Sequence, residues 1–284
     1  MSKLFLLFLV IPILAAFGIF IFRYRILFVI ISILLAMFIF IILRNMRLVN
    51  KSIENIIKII KVKYSLKKID IGEFKQLTAY GIMTFNSEIY HIENLGILSI
   101  LTSNLGFMQL FTLQIVSFEK DLPLFTIDIM YIFNKRILLI EIYDLMIDKT
   151  NSEYKSFLQK VENIKSNYSN FTNFEIKKSW HLEYLSELVN KKYGTKDEQI
   201  FIDLLNQITN IFIEYSNTTK KIKNVDKKIS LVEDFGNELM DKGGVSTDMF
   251  KRLFGVEKTR KYLGNVLFGY YTFKEIVGLK WKIY

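Results

Sequence analysis

The chain has 284 residues, 51% of them hydrophobic, and a formal net charge of +10. The absence of cysteine excludes disulfides, thiolate metal sites and cysteine nucleophiles, and two histidines (His91 and His181) are too few for a histidine-built metal centre. The net positive charge belongs to residues 1–68; residues 69–284 balance 27 basic against 27 acidic side chains, which disfavours a nucleic-acid-binding body.

Residues 4–22 and 26–43 are runs of 19 and 18 residues without a charge. Each matches a hydrocarbon core about 30 Å thick at about 1.5 Å per helical residue. Only Arg23-Tyr24-Arg25 separates them, so residues 1–50 are predicted to form a two-helix transmembrane hairpin. Before the first run stands Lys3; after the second come Arg44, Arg47, Lys51, Lys58, Lys61, Lys63, Lys67 and Lys68. The positive-inside rule then places a two-pass protein in the cell membrane, with both termini and the main domain in the cytoplasm. Residues 51–72 form a basic juxtamembrane segment. Within it, 51–68 reads as an amphipathic helix with Ile53, Ile56, Ile57, Ile60 and Tyr64 on one stripe. Such a stripe suits the anionic inner leaflet of a lipid bilayer; a lysine-rich stalk has the same composition.

From 75 to 147 the chain is rich in β-branched and aromatic residues, and strands are expected at 77–85, 87–92, 96–102, 107–118, 124–133 and 136–146. Asn134-Lys135 is the expected turn of the last hairpin. Helical periodicity follows at 151–167, 197–215, 221–240, 247–253 and 257–268. Strands followed by helices predict an α+β fold over 73–284, a mostly antiparallel central sheet flanked by helices as an α/β/α sandwich.

No P-loop, dinucleotide, nucleophile-elbow or zinc-protease motif is present. What stands out is a pair of carboxylates inside apolar strands: Asp128 among Phe125, Ile127, Ile129 and Met130, and Glu141 among Leu139, Ile140 and Ile142. With a turn at Asn134-Lys135 the two fall directly opposite each other, with Cβ atoms about 5 Å apart. Like charges so placed cannot both ionise cheaply, which would leave one of them a proton donor at neutral pH. A solvated sheet face, or pairing with helix lysines, is the plain alternative.

The run Asp121-Leu122-Pro123-Leu124-Phe125-Thr126-Ile127-Asp128, preceded by the strand at 107–118, resembles the core of the ferredoxin-dependent bilin reductases. In that family a D-L-P-hydrophobic-F-x-x-D segment begins the central strand, and its last Asp protonates the bilin. Trp180 with Ser186, Asp197-Glu198 leading into a helix with Phe201 and Leu205, Phe254-Gly255, Tyr262 and Val266-Leu267-Phe268 are similar to further family segments in the same order over about 75–270. The family does not usually carry a membrane hairpin. Many members have a His seventeen residues before the Asp, where this chain has Phe111, and the family's last Asp is Gly269 here. A second catalytic Asp of some members falls near Asp241 and Asp248.

The resemblance implies a membrane-anchored reductase of a linear tetrapyrrole or similar conjugated molecule. It would have no tightly bound cofactor and would take electrons from an external ferredoxin. Asp128 would donate the proton and Glu141 would raise its pKa. Gln109, Phe111 and Thr112 would line the substrate. Lys251, Arg252, Lys258, Arg260 and Lys261 would either steer an acidic ferredoxin or form an ordinary solvated helix face. The second reading is a membrane-anchored binding or scaffold protein that keeps the fold without its chemistry. It would fill the Asp128 face with its own side chains.

Overall fold

The computed structural model describes residues 25–105 and 108–281. Its first element, α1 (Arg25–Lys61), contains no proline or glycine and runs unbroken for 37 residues, about 55 Å. It crosses the boundary expected at residue 50, so the apolar run and the basic segment are one helix. From Leu27 to Leu43 the helix carries no charge, and Leu34 and Phe40 are 58% and 66% exposed. By length and composition it can cross a membrane. The described residues thus hold one long apolar helix rather than a clear two-helix hairpin; the predicted span 4–22 and the loop residues Arg23 and Tyr24 lie outside them.

The second half of α1 belongs to the body. Val49, Ile56 and Ile60 are buried, and Ile53 and Ile57 pack beside them against the sheet. The stripe that suited a lipid surface is therefore covered by protein. Helix α1 also ends earlier than expected, at Lys61. Tyr64 then turns inward, where its hydroxyl lies 2.9 Å from Ser216 Oγ and 3.4 Å from Lys120 Nζ.

Eight antiparallel strands follow: β1 (Leu66–Ile69), β2 (Gln76–Ala79), β3 (Met83–Ile92), β4 (Gly96–Asn104), β5 (Met108–Ser117), β6 (Leu124–Ile132), β7 (Lys135–Tyr143) and β8 (Leu185–Gly194). The order is β1-β3-β4-β5-β6-β7-β8, with β2 sharing the β3 edge. Strands β1 and β8 have no counterpart among the predicted elements. The stretch expected as one strand at 77–85 is broken at Tyr80-Gly81-Ile82, where Tyr80 and Gly81 adopt positive φ. One face of the sheet packs on the second half of α1, on α2 (Ser152–Ser166) and on α3 (Glu198–Thr218). The other carries α4 (Val225–Lys242), α5 (Val245–Phe254), α6 (Val256–Tyr262), a π-helical turn (Leu263–Leu267) and α7 (Tyr270–Trp281). The fold is α+β, with helices on both faces of an antiparallel sheet.

The segment leading into β6 is pinned from beneath. Lys228 of α4 is buried and donates to the carbonyls of Leu122 (2.6 Å) and Leu145, with Asp121 at 3.3 Å. Asp121 in turn accepts the backbone N–H groups of Ile147 and Asp148 at 2.8 Å. Burial pulls the Lys228 ammonium down to about 8. Asp121 and Lys228 therefore fix where β6 begins, and with it the position of Asp128.

Candidate active site on the open sheet face

The turn between β6 and β7 is Phe133-Asn134, one residue earlier than expected. Ile132 pairs with Lys135, Asp128 with Leu139 and Thr126 with Glu141. Shifting a two-residue turn by one moves each pairing by two, so the carboxylates keep a common face but become diagonal neighbours, about 7–8 Å apart rather than opposed. Phe133 has φ +51°, which a bulky residue adopts only when its surroundings hold it there. Helix α1 supplies them. The ring of Phe38 lies 6.2 Å from that of Phe133, Asn45 donates to the Phe133 carbonyl at 3.0 Å, and Arg44 donates to Asn134 Oδ1 at 2.7 Å.

Two cross-sheet rows form the site. The first is Ser87–Leu101–Thr112–Asp128–Leu139–Asn190, and the second Ile89–Ser99–Gln114–Thr126–Glu141–Leu188. Thr112 donates its hydroxyl to Asp128, and Tyr143, two residues on from Glu141 in β7, interacts electrostatically with its carboxyl. The ring of His181 lies 6.2 Å from that of Tyr143, extending the titratable line to the sheet margin. Thr112, Asp128, Met130, Leu139 and Glu141 are half-buried, whereas Phe111, Ile127, Ile129, Leu138 and Ile140 on the reverse face are completely enclosed. The C-terminal helices therefore do not roof the centre of this face as α1–α3 roof the other.

Ser99 Oγ, Gln114 Oε1 and Thr126 Oγ1 are buried in the second row and have no hydrogen-bond partner among the described residues. Buried polar atoms are normally satisfied, so these three oxygens are exceptions in an otherwise paired sheet. Sequence reading missed all three, together with Tyr143 and His181. The one available signal was a polar residue at a single position within an otherwise apolar strand.

Burial pushes the Asp128 carboxyl up to about 6, a rise that the Thr112 hydroxyl partly offsets. Burial, and after it the charge of Asp128, pushes Glu141 up to about 7 against the lowering effect of Tyr143. Tyr143 is itself raised by burial and by Glu141, and burial lowers His181. Both carboxyls bind protons more tightly folded than unfolded, so their contribution to stability is full below about pH 4 and is lost as pH rises through about 6 and 7. Thermal melting is expected to fall from pH 5 to pH 8, and Glu141→Gln should flatten that fall. An identical slope in the variant would show that Glu141 is not a source of it.

Gln109 and Phe111 are not beside Asp128. Strand alternation turns both to the reverse face, where Phe111 is fully enclosed and Gln109 donates to Asn104 at 3.2 Å. The residue paired with Asp128 is Thr112, sixteen positions before it rather than seventeen. Gly269 has φ +65°, and a Cβ there would come within 2.8 Å of Ile97, so the position has no room for a side chain. Asp241 and Asp248 sit exposed beside Arg260 and Lys251. The basic residues of α5 and α6 are largely partnered: Lys251 with Asp248 at 2.7 Å, Lys258 with Glu73 at 2.9 Å, Arg260 with Asp241 and Lys261 with Glu257 at 3.6 Å, while Arg252 donates to the Asp248 carbonyl at 3.2 Å. Among the described residues no group of histidine and carboxylate side chains is placed to hold a metal ion.

No protein-family model matches the chain, and no curated protein sequence matches it. A solved structure does: the crystal structure of phytochromobilin synthase from tomato in complex with biliverdin, at 11% identity and a TM-score of 0.65 over 78% of this chain and 83% of that one. At that identity the likeness establishes a shared fold.

Proposed function

We propose that this protein is a membrane-anchored reductase of a linear tetrapyrrole or similar conjugated molecule, bound on the Asp128 face. The observation that carries the reading is the pairing of Thr112 with a half-buried Asp128 at the centre of the sheet, where burial raises the carboxyl to about 6. The shared fold with a biliverdin-bound protein supplies the ligand class. A flat ligand on this face would remove more water from Asp128 and strengthen its hold on that proton. An external donor of the ferredoxin kind adds one electron to the conjugated system, and Asp128 transfers its proton to the radical anion. A second electron completes the reduction, and a second proton is drawn from Glu141. Thr112 orients Asp128. Gln109 and Phe111 support the sheet from behind. Leu27 to Leu43 of α1 anchors the protein in a bilayer.

The non-catalytic reading draws on one specific feature, the pairing of the α5–α6 cations with nearby acids, which leaves little free charge to steer an acidic electron donor. Titrating the detergent-solubilised full chain with biliverdin separates the two. Binding should shift the pigment's visible absorbance, and adding reduced ferredoxin should then bleach or shift it further. Binding without reduction favours the non-catalytic reading, and absence of binding overturns the ligand class.

A further inference from the structure

The last complete row across the sheet is Thr84–Asn104–Gln109–Tyr131–Arg136–Tyr193. Beyond it, at one end of the body, project the β2–β3 turn with Tyr80 and Ile82 and the β6–β7 turn with Phe133. Tyr80 is 79% exposed, Ile82 61% and Phe133 45%. Tyr80 and Phe133 both hold left-handed backbone, φ +52° and +51°, at positions where glycine or asparagine would be relaxed. Bulky residues rarely adopt this backbone, so both turns are held in shape by their surroundings and present their side chains in a fixed direction. The two turns are about 19 Å apart, four strand spacings.

The apolar half of α1 leaves the body at this same end. Asn45 and Arg44 are bonded to the Phe133-Asn134 turn, and Phe38, further out along the helix, touches the Phe133 ring. Arg47 and Lys51, on the turns of α1 nearer the body, and Lys135 beside the β6–β7 turn are exposed. Uncharged helix above, aromatic and aliphatic tips at the junction and cations below is the sequence of chemistries met on leaving a bilayer through its interface.

We propose that this end of the sheet is a lipid-docking surface, with Tyr80, Ile82 and Phe133 seated in the interface of the bilayer that α1 crosses. The proposal rests on the reading of α1 as a membrane span, and it adds that the body touches the lipid rather than hanging from it. The occupant is the phospholipid surface, because the apolar helix continues from the same patch without a gap.

The chain has no cysteine, so a single introduced one can be labelled cleanly. Ile82→Cys, Phe133→Cys and, at the opposite end of the sheet, Glu93→Cys are labelled with bimane in the full chain and reconstituted into phosphatidylcholine–phosphatidylglycerol vesicles. Seating about 5–10 Å into the headgroup region predicts that shallow nitroxide lipids quench positions 82 and 133 at least about twofold more than position 93, with aqueous iodide showing the opposite order. Vesicle-bound protein whose labels at 82 and 133 are as open to iodide as the label at 93 overturns the docking surface and leaves the anchor standing. Labels shielded from both quenchers overturn it in favour of a protein contact, such as a second copy. A chain that does not float with the vesicles overturns the anchor, and the docking surface with it.

Discussion

Asp128→Asn is expected to bind biliverdin, accept one electron and stall. Asparagine keeps the size of the side chain and still accepts from Thr112, so the sheet face retains its shape, but it has no acidic proton to give. Loss of a general acid costs on the order of a hundredfold or more in turnover. The stalled species should be an organic radical visible by electron paramagnetic resonance, a signature that a merely weakened fold would not produce. Thr112→Val is the companion variant. It removes the hydrogen bond that holds Asp128 down, so the carboxyl should titrate higher while turnover falls far less. Full turnover in Asp128→Asn would remove this residue from the mechanism.

Deleting residues 1–43 should leave a folded body no longer held by a spanning helix, whereas deleting 1–61 should leave no stable body. The difference lies in where α1 spends its apolar residues. Leu27 to Leu43 faces outward, but Val49, Ile56 and Ile60 are buried in the core between the sheet and α3. Burying one such side chain contributes about 1.5–3 kcal/mol, so losing three approaches the 5–15 kcal/mol of total stability typical of a domain. Circular dichroism melting of the two truncations checks the claim. A cooperative melt in the shorter one would show that α1 is only docked on the body.

Strands β4 to β7 were legible because their β-branched and aromatic runs are long and bounded by short breaks. Strand β1 was hidden because Lys67 and Lys68 continue the helical spacing of the segment before it. Strand β8 was hidden because its charged and polar residues (Glu187, Asn190, Lys191 and Lys192) dilute the apolar alternation. The stripe of Ile53, Ile56, Ile57 and Ile60 was visible, but an apolar helical face looks the same whether lipid or a sheet will cover it. Asp128 and Glu141 could be picked out as charges in apolar strands. Their spacing could not, because the register depends on Phe133 adopting a backbone that only contacts from α1, nearly ninety residues away, make tolerable. For the same reason the polar row through Gln114 was invisible: which residues share a face across six strands is decided by register, not by any local pattern.

The unbroken course of α1 has a mechanical consequence. A tethered domain on a flexible stalk sweeps a hemisphere and must find its orientation at each encounter. A domain that shares a helix with its anchor inherits the tilt of that helix. The part of α1 inside the body extends about 27 Å from Arg44 to Lys61, so a tilt of about 20°, ordinary for a spanning helix, displaces its far end by about 9 Å. In a protein anchored as proposed, a change of bilayer thickness that alters this tilt would turn the whole sheet with it. In a thinner membrane the open face would swing towards the headgroups on one side and away from them on the other.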